Sequence, residues 1–486
     1  MKFSEINLLA LLKNFSHKEI LEFEKFIISP FFNTQNVLID LYKALIRFYP
    51  DFSGENFSKE VIFKEVFPGK EFNDILLRKY ISNLMKLAED YLICKDTLGN
   101  EEKRAVSLLD QFDNKNLTQF FEKQLTKIEK NSVLNSRITV ETFYFKHFRE
   151  ELKAGYFIKI NKIYEIKSCL IKSQVYILLH LLLTNIVYAN MMLIVKKTFK
   201  NTENNNYFDE FNDAFDLIRY LENISDLNEN EKLFISLCKI DLIISKKPDD
   251  LNSLKEMKDI ILRMSDILSE NLLYTFFSHL NIYYLMNLSV NPEELTRDFF
   301  ENYKFMIDKG LYERKGIEFI NYTEYRTILN YGVRLKEYDW IEKFIHRFSD
   351  RHENYMKKDI VKYSLALLNY ERKNYDAALK YLSQIKVRSE VIMKLDVDIL
   401  LLLIYFDLSY LDSALSLIDS LRHFLSEEKF FSNTVLENHH NFLKFYRIIL
   451  MEKNNNRNKN QSSVIHDIKN CSNLRRKYWL LEKAEW

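Results

Sequence analysis

Apolar residues recur every three or four positions along most of this chain, which is the spacing of an amphipathic helix. An early example is Ile20, Phe23, Phe26 and Ile27, which follow a capping box that begins at Ser16. Glycine and proline, which tight turns use most, number only 7 and 5 among 486 residues. A sheet of many strands needs many such turns, whereas long helices joined by short polar loops need few. The pattern therefore predicts an all-α fold.

The first part of the chain divides into five predicted helices. Prolines at positions 30, 50 and 68 end three of them, because proline disfavours helical geometry in the residue before it. The fifth predicted helix starts at Asn73 and continues through Ile93. We predict that residues 1–98 form an N-terminal helical domain with its boundary at Gly99.

The middle of the chain, residues 99–310, keeps the helical pattern with few interruptions. We predict a break between two helices at Gly155 and a loop at the polar stretch 201–206. A degraded hairpin is predicted around residues 213–215. A helix start is predicted at 291–294, where an asparagine cap precedes a proline. We interpret this region as helical, with degenerate hairpins.

A short pattern then recurs three times between residues 317 and 426. In the clearest copy a small residue, Ala366, precedes a turn marked by Tyr375, and a second small residue, Ala378, follows it. The equivalent acidic residues of the three copies, 37 and 36 positions apart, are Asp339, Asp376 and Asp412. This pattern resembles the tetratricopeptide repeat, whose usual period is about 34 residues.

The resemblance implies helical hairpins that stack into an α-solenoid, since each hairpin exposes apolar surface that only a neighbouring hairpin covers. We assign residues 311–452 to TPR-like repeats. After a polar stretch at 453–463, residues 464–486 are predicted to form a C-terminal capping helix. That helix carries three adjacent basic residues beside two aromatic ones: Arg475, Arg476, Lys477, Tyr478 and Trp479.

Tetratricopeptide arrays bind peptides in a groove lined by the first helix of each hairpin, and the resemblance extends this expectation to the present chain. We predict a protein–protein interaction scaffold or adaptor that binds a peptide or partner protein, without catalysis. The candidate partner-binding residues are Asn321, Tyr325, Lys362, Asn369 and Tyr370. Each is also suited to ordinary contacts inside a repeat, and the partner and the oligomeric state stay open.

A second interpretation rests on residues 57–93. They resemble the helical part of winged-helix domains that precede tetratricopeptide repeats in some bacterial transcription regulators. The polar face that would reach phosphates or bases consists of Arg78, Ser82, Asn83 and Lys86. Glu89 and Asp90 on the same helix oppose this role, and no pair of alternating strands follows to form a wing. The alternative function is a DNA-binding regulator with the repeats as sensor.

The N-terminal part is also similar to a group of bacterial helical proteins. The likeness is carried by Ser29-Pro30-Phe31-Phe32-Asn33 and by Phe67-Pro68-Gly69. It implies a helical fold and brings no activity with it.

The charge balance, the sequence motifs and the cysteines bear on which functions and cofactors are expected. The chain has 70 basic and 69 acidic residues, so it lacks a global field that would attract nucleic acid. It contains no phosphate-binding glycine loop, dinucleotide fingerprint, zinc-protease motif or serine-hydrolase elbow. Its four cysteines form no C-x-x-C pair, which favours a reducing, cytoplasmic setting without a metal or other cofactor. An enzyme assembled from distant residues would need a pocket where histidines and carboxylates converge.

One apolar stretch, residues 175–195, is long enough to raise the question of a membrane span. Its polar residues His180, Thr184 and Tyr188 recur every four positions, so they share one helix face. Because polar groups are costly in mid-bilayer, we interpret the stretch as the buried central helix of a bundle. The first fifteen residues lack a small-residue cleavage site and are predicted to be a helix. We expect no membrane partner.

Overall fold

The computed structural model of the chain is built from helices. It describes all residues except 1–2, 4–5, 55, 132–136, 199–215, 225–226, 289–293, 315, 387–390, 429–430, 456–460 and 486. Within the described residues there are 23 helices and no β-strand apart from one isolated bridge. The prediction of an all-α fold is confirmed. The predicted loop at 201–206, the hairpin trace at 213–215 and most of the helix start at 291–294 lie outside the described residues.

The helices follow one another through the described parts of the chain. The first nine are α1 (Asn7–Lys13), α2 (His17–Ile28), α3 (Asn36–Ile46), α4 (Lys59–Val66), α5 (Asp74–Gly99), α6 (Glu101–Asn114), α7 (Thr118–Asn131), α8 (Thr142–Lys159) and α9 (Ile163–Thr198). The next seven are α10 (Leu217–Glu222), α11 (Glu229–Lys246), α12 (Leu251–Arg263), α13 (Glu270–Asn287), α14 (Glu294–Asp308), α15 (Tyr322–Arg334) and α16 (Tyr338–Phe348). The last seven are α17 (Lys357–Glu371), α18 (Tyr375–Ser383), α19 (Val391–Asp407), α20 (Leu411–Glu427), α21 (Asn433–Asn455), α22 (Gln461–Asn470) and α23 (Lys477–Ala484).

The chain forms two compact units that alternate along the sequence. Unit 1 comprises residues 1–133 and 148–166, and unit 2 comprises residues 134–147 and 167–486. The domain boundaries predicted from the sequence after residues 98, 310 and 452 stay predictions.

Unit 1 has a core formed by α1 to α5. Phe23 lies against Tyr42 and Tyr91, and each pair of ring centroids is 5.4 Å apart. The hydroxyl of Tyr42 donates a 2.8 Å hydrogen bond to the carbonyl oxygen of Ile20, which satisfies the polar end of this buried ring. A smaller apolar cluster in the same unit joins α6, α7 and part of α8.

Two predictions about helix ends have opposite outcomes. The capping box at Ser16 is confirmed: its side chain accepts from the amide of Glu19 at 3.3 Å, and the Glu19 carboxylate accepts from the amide of Ser16 at 2.8 Å. The break at Gly155 is wrong, because this residue lies inside α8. Its neighbours Ala154 and Tyr156 are buried. Their packing outweighs the roughly 1 kcal/mol by which glycine disfavours a helix relative to alanine.

Unit 2 has one continuous hydrophobic core. Each helix from α11 to α20 packs against the helix that follows it, and α15 also packs against α17, and α17 against α19. The isolated segment 134–147 joins this unit through a parallel bridge between Ile138 and Leu268. The amide of Ile138 donates to the carbonyl of Ile267 at 2.7 Å, and its carbonyl accepts from the amide of Ser269 at 2.8 Å.

Three helix pairs of unit 2 are joined by the same turn. Lys336, Lys373 and Ser409 follow α15, α17 and α19 and adopt left-handed conformations with φ of 60°, 60° and 59°. The next amide in each turn donates to a carbonyl five residues earlier, at 3.0, 2.8 and 2.8 Å respectively. This is the Schellman arrangement, in which glycine usually occupies the left-handed position. Two lysines and a serine occupy it here, so a shortage of glycine does not remove the tight turns.

Gly332 allows α15 and α16 to approach closely. A Cβ atom at this position would lie 2.3 Å from Cδ1 of Ile341. Ile341 comes five residues after the left-handed Lys336, and Ala378 and Ala414 come five residues after the corresponding turns. All three side chains are buried. At this position the second helix of the first pair has an isoleucine, where the other two pairs have an alanine. Gly332 on the first helix leaves room for that larger side chain.

The final part of the chain differs from the prediction. α21 continues to Asn455 and α22 begins at Gln461, so part of the predicted polar loop at 453–463 is helical. Residues 464–486, predicted as one capping helix, contain the rest of α22, a loop and α23. The helices are separate because the loop ends at Arg476, whose left-handed backbone (φ 53°) does not continue a right-handed helix.

α9 contains the apolar stretch that raised the membrane question. Among the described residues, its part Ile163–Tyr188 is the one segment long and apolar enough to cross a membrane, judged by length and composition. A third of its apolar window (33%) is buried in the protein. Nδ1 of His180 lies 2.9 Å from the carbonyl oxygen of Val140, so this polar group has a partner within unit 2. The cytoplasmic location stays a prediction.

Candidate interaction surface

One segment of unit 2 lies across four of its helices. The 471–485 segment consists of a loop, residues 471–476, followed by α23. Its side chains contact α15, α17, α19 and α21, which we call the receiving helices. The first three are the leading members of the pairs joined by the repeated turn. The segment therefore contacts the helices that the tetratricopeptide resemblance assigns to peptide binding.

The buried carboxylate of Asp396, on α19, joins the segment to two receiving helices. It accepts from the hydroxyl of Tyr322 at 2.9 Å and from the guanidinium of Arg326 at 3.2 Å, both on α15. Arg475 of the segment also donates to it, and lies 3.0 Å from Nε2 of His439 on α21. Burial alone would raise the pKa of Asp396, but Arg326 and Arg475 hold it below its ordinary value. Two guanidiniums thus share one ionised carboxylate.

Arg476 fixes the start of α23 against α15. Its guanidinium donates to Oδ1 of Asn330 at 2.9 Å and to the hydroxyl of Tyr478 at 2.5 Å. The ring of Tyr478 is in turn covered by Arg334 of α15, whose guanidinium carbon lies 4.9 Å from the ring centroid. A guanidinium at this distance from an aromatic face is attracted to it. Arg476 and Tyr478 are therefore both held against α15 by contacts that involve a guanidinium group.

Trp479 occupies an aromatic slot between three receiving helices. Its ring stacks on Tyr446 of α21, with centroids 5.9 Å apart and planes 12° apart, and meets Phe406 of α19 at 5.2 Å. Its Nε1–H donates a 2.9 Å hydrogen bond to the hydroxyl of Tyr370 on α17. The side chain is 4% exposed. One residue of the segment thus buries a large ring and satisfies its single polar group.

Asp407, the last residue of α19, accepts several hydrogen bonds near the other end of α23. Its carboxylate accepts from the hydroxyls of Tyr370 at 3.0 Å and Tyr375 at 3.4 Å. Nζ of Lys483 lies 2.9 Å from it. Burial alone would lower the pKa of Lys483, but the bond to Asp407 raises it above its ordinary value. Trp479, Tyr370, Asp407 and Lys483 form a chain of hydrogen bonds and an ion pair that begins and ends in the segment.

The charges on the two sides of this contact are complementary. The segment supplies the cations Arg475, Arg476 and Lys483, and the receiving helices supply the carboxylates Asp396, Glu371 and Asp407. Burial raises the pKa of Glu371, and the charge of Arg476 opposes that rise. A surface with three partly desolvated carboxylates favours a cationic ligand and disfavours an anionic one.

Two of the predicted partner-binding residues are buried. Tyr325 is 0% exposed, its hydroxyl lies 2.9 Å from Oγ of Ser364, and its ring stacks on Phe344 at 4.9 Å. It holds α15, α16 and α17 together and presents nothing to a partner in this conformation. Tyr370 is 6% exposed because Trp479 covers it. Tyr370 is therefore the one predicted residue that this structure brings into contact with the segment.

The other three predicted residues are accessible but do not share one site. Asn321 caps α15 by accepting from the amide of Thr323 at 2.8 Å. Lys362 donates to the carbonyl of Gln384 at 2.7 Å and pairs with a neighbouring aspartate. Asn369 donates to a carbonyl of its own helix at 2.8 Å and is half-buried. All three serve local structure.

Asp396 and Asp407 anchor the segment and were not predicted from the sequence. A signal was present, since Asp396 lies within the strongly apolar run LDVDILLLLIYFD of α19 and Asp407 ends it. Carboxylates are seldom buried without a cationic or hydrogen-bonding partner. Such a run therefore points to a cation elsewhere in the chain. It does not identify the cation, because Arg475 is 79 positions away from Asp396.

A cavity of about 390 Å³ adjoins the start of α15. Asn321 lines one side of it, and His352, Glu353 and Tyr355 line another. His352 is buried, and its Nε2 has no hydrogen-bond partner among the described residues. Burial, with a smaller effect from Lys357, lowers the pKa of His352 to about 4. The ring is therefore neutral at pH 7.

The residues of the nucleic-acid alternative share one side of α5. Arg78, Ser82 and Lys86 are exposed, and Asn83 is partly buried. Arg78 pairs with Asp74 one turn earlier at 2.6 Å, and Asn83 donates to Oε1 of Gln35 at 3.3 Å. α6 begins two residues after α5 ends. The described residues following α5 are thus helical where a wing would require strands.

Metal-ligating residues are not clustered in the described part of the chain. No three His, Cys, Asp or Glu side chains there lie close enough together to hold a metal ion. None of the four cysteines, all of which lie in described residues, forms a disulfide, and Cys169 and Cys238 are buried. Asp241 and His279 form a buried pair at 2.8 Å in the core of unit 2.

Comparison of the chain with protein-family models, with curated proteins and with solved structures returns no match. The tetratricopeptide likeness is therefore carried by residues of this chain alone.

Proposed function

We propose that this chain is a protein-interaction scaffold or adaptor without catalytic activity, built as an α-solenoid of tetratricopeptide-like hairpins. The packing of each helix from α11 to α20 on the next supports this architecture. So do the three left-handed turns, which recur 37 and 36 positions apart at Lys336, Lys373 and Ser409. Stacked helix pairs of this kind form a continuous curved surface that is suited to holding a partner.

The 471–485 segment on the receiving helices is the observation that carries the proposed function. Its helix, α23, has eight residues. Isolated helices of this length are unstable in water, so α23 depends for its order on the surface beneath it. That surface offers an aromatic slot and the buried carboxylate of Asp396, the kind of anchors by which a groove recognises an amphipathic helix. A surface that orders this segment is suited to order a similar segment of another protein.

The test is site-specific photocrosslinking with the full chain. A photoreactive residue replaces Asn369 on α17, next to the receiving surface, or Lys380, an exposed residue on α18 of the same pair. We expect protein partners to crosslink from position 369 and not from position 380, in the presence of nuclease. A partner found in this way is then purified, and its affinity for an Asn369→Lys variant is measured and expected to fall at least tenfold.

Two results would overturn the proposal. One is crosslinking from position 369 that does not exceed crosslinking from position 380. The other is the loss of the crosslinked protein partners when nuclease is added. The second result would favour the DNA-binding alternative, in which Arg78→Glu and Lys86→Glu abolish recovery.

A further inference from the structure

We propose that the receiving helices form a binding site for a helical peptide with two adjacent cationic residues followed by an aromatic residue, and that the 471–485 segment occupies this site as an intramolecular competitor. The inference rests on the proposed function and adds the chemistry and the control of its site. The pattern is read from the residues that make the contacts: Arg475, Arg476, Trp479 and Lys483.

The receiving helices would be incomplete without an occupant of this chemistry. If the segment left, Asp396 would keep Tyr322 and Arg326 but lose the guanidinium of Arg475. Nε2 of His439 would lose its contact with the same guanidinium. Desolvated polar groups that lose a partner are costly, so the vacant site would strongly prefer a new cation at this position.

The aromatic slot sets the second requirement. Tyr446, Phe406 and Tyr370 surround the indole of Trp479, and the Tyr370 hydroxyl accepts its N–H. An empty slot would expose these rings, and burying one aromatic side chain removes roughly 150–250 Å² from water. A peptide with an aromatic residue three or four positions after its cations restores both contacts. A purely basic peptide restores only the first.

The attachment of the segment suits a ligand that can leave. Its described contacts with the receiving helices are made mainly by side chains, and one backbone bond, from the amide of Arg475 to the carbonyl of Asn438 at 3.3 Å, joins it to α21. Two further side-chain bonds, Asn441 to the carbonyl of Asn473 and Asn473 to Glu437, hold the loop at 2.8 and 2.9 Å. A tethered segment has an effective concentration on the order of millimolar, so it lowers the apparent affinity of a free peptide without blocking the site permanently.

The experiment uses the full chain and a fluorescent synthetic peptide with the sequence of residues 471–485. The chain is either unchanged or carries Arg475→Ala and Trp479→Ala, which remove two anchors of the segment without changing any residue of the receiving helices. We expect the peptide to bind the double variant at least tenfold more tightly than the unchanged chain. A control peptide with glutamate at both arginine positions and alanine for the tryptophan is expected not to bind. Adding Asp396→Asn to the double variant is expected to weaken peptide binding at least tenfold.

Equal binding of the peptide to both chains, or no binding to either, would overturn the proposal. If the double variant does not fold, as judged by circular dichroism, hydrogen exchange of the unchanged chain decides. Amides of α23 are then expected to exchange at least tenfold faster than amides of α19, and equal rates would mean that the segment leaves only on global unfolding.

Concentration-dependent dimerisation that the double variant abolishes would make a second copy the occupant, which overturns the choice of a foreign partner. If crosslinking from position 369 succeeds while peptide binding fails, only the present inference falls.

Discussion

The indole nitrogen of Trp479 lies 2.9 Å from the hydroxyl oxygen of Tyr370, and both side chains are buried. Trp479→Phe keeps most of the ring packing and removes this hydrogen bond, so we expect a loss of about 1–2 kcal/mol of unfolding free energy. Trp479→Ala also removes the packing and should cost about 3–5 kcal/mol. Denaturant unfolding followed by circular dichroism measures both values.

The matched control for these variants is Tyr410→Phe, because Tyr410 is 49% exposed. We expect it to change stability by less than about 0.5 kcal/mol. A double variant, Trp479→Phe with Tyr370→Phe, should lose about 1 kcal/mol less than the two single losses combined, since both remove the same bond. Strict additivity would show that the two residues are not coupled.

Gly332 and Ile341 form a size-matched pair, and their coupling can be measured. In the unchanged chain, Gly332→Ala forces a Cβ atom against Ile341, so we expect a loss of about 1–3 kcal/mol despite the better helix propensity of alanine. In an Ile341→Ala background the same change should be neutral, or stabilising by up to about 1 kcal/mol. Thermal unfolding of the four chains gives the comparison. Equal effects in both backgrounds would contradict the proposed contact.

The buried carboxylate of Asp396 accepts hydrogen bonds from two guanidiniums, so removing its charge leaves both without their anionic partner. We expect Asp396→Asn to destabilise the chain by about 3–5 kcal/mol. Asp412→Asn is the control, because Asp412 is exposed on α20, and it should change stability by less than about 0.5 kcal/mol. Similar effects of the two variants in denaturant unfolding would indicate that Asp396 is not a central partner of Arg475.

His352 makes the stability of the chain depend on pH. Its pKa falls from an ordinary 6.5 to about 4 because burial disfavours the charged ring. The unfolded chain therefore binds a proton more readily than the folded chain between these values. The stabilisation is fully present above pH 6.5 and is lost as the pH falls toward 4, by about 1.4 kcal/mol for each unit of the difference.

We test this with His352→Phe, which cannot take up a proton. Between pH 7.5 and pH 4.5 its unfolding free energy should fall less steeply than that of the unchanged chain. His439, whose pKa burial and Arg475 lower to about 3, is expected to supply the remaining slope. Identical pH profiles for the two chains would mean that His352 does not contribute.

Replacing lysine with glycine is expected to change the stability of the chain in opposite directions at positions 373 and 380. Lys373 is exposed and has a left-handed backbone, which costs about 1–2 kcal/mol for a side chain with a Cβ atom. Lys373→Gly should therefore stabilise the chain by about 0.5–1 kcal/mol. Lys380→Gly lies inside α18 and should destabilise it by about 1 kcal/mol. The signs are read from thermal midpoints, and equal signs would contradict the assigned turn.

Much of the helical structure could be predicted because its signals are local. The capping box at Ser16 and the apolar period after it lie within a dozen residues, and both are present in α2. Gly155 was misread because the packing of its buried neighbours overrides its low helix propensity. The left-handed turns were not predicted as turns of one geometry, since Lys336 and Ser409 carry none of the usual glycine signal.

The candidate surface was only partly predictable. Tyr325 falls in register with Ile328 and Leu329, and this apolar stripe is the buried face of α15, so its burial could have been read from the same period that predicted the helix. The basic and aromatic residues near Trp479 were visible as a cluster. The residues that this cluster contacts could not be predicted, because the contact with Asp396 depends on which helices meet in three dimensions.

The alternation of the two units along the chain has a consequence for dissecting the protein. Residues 134–147 belong to unit 2 and are bonded to it through Ile138 and Leu268, yet they lie between the two parts of unit 1. No single cut in the polypeptide therefore isolates one complete unit without part of the other: residues 1–166 would carry 134–147 of unit 2, and residues 134–486 would carry 148–166 of unit 1. A fragment that ends before residue 134 lacks the 148–166 part of unit 1, and one that begins at residue 167 lacks the strap that reaches Leu268. Separating the units requires cuts after residues 133, 147 and 166 and new connections from 133 to 148 and from 147 to 167, so no simple truncation isolates a complete unit by itself.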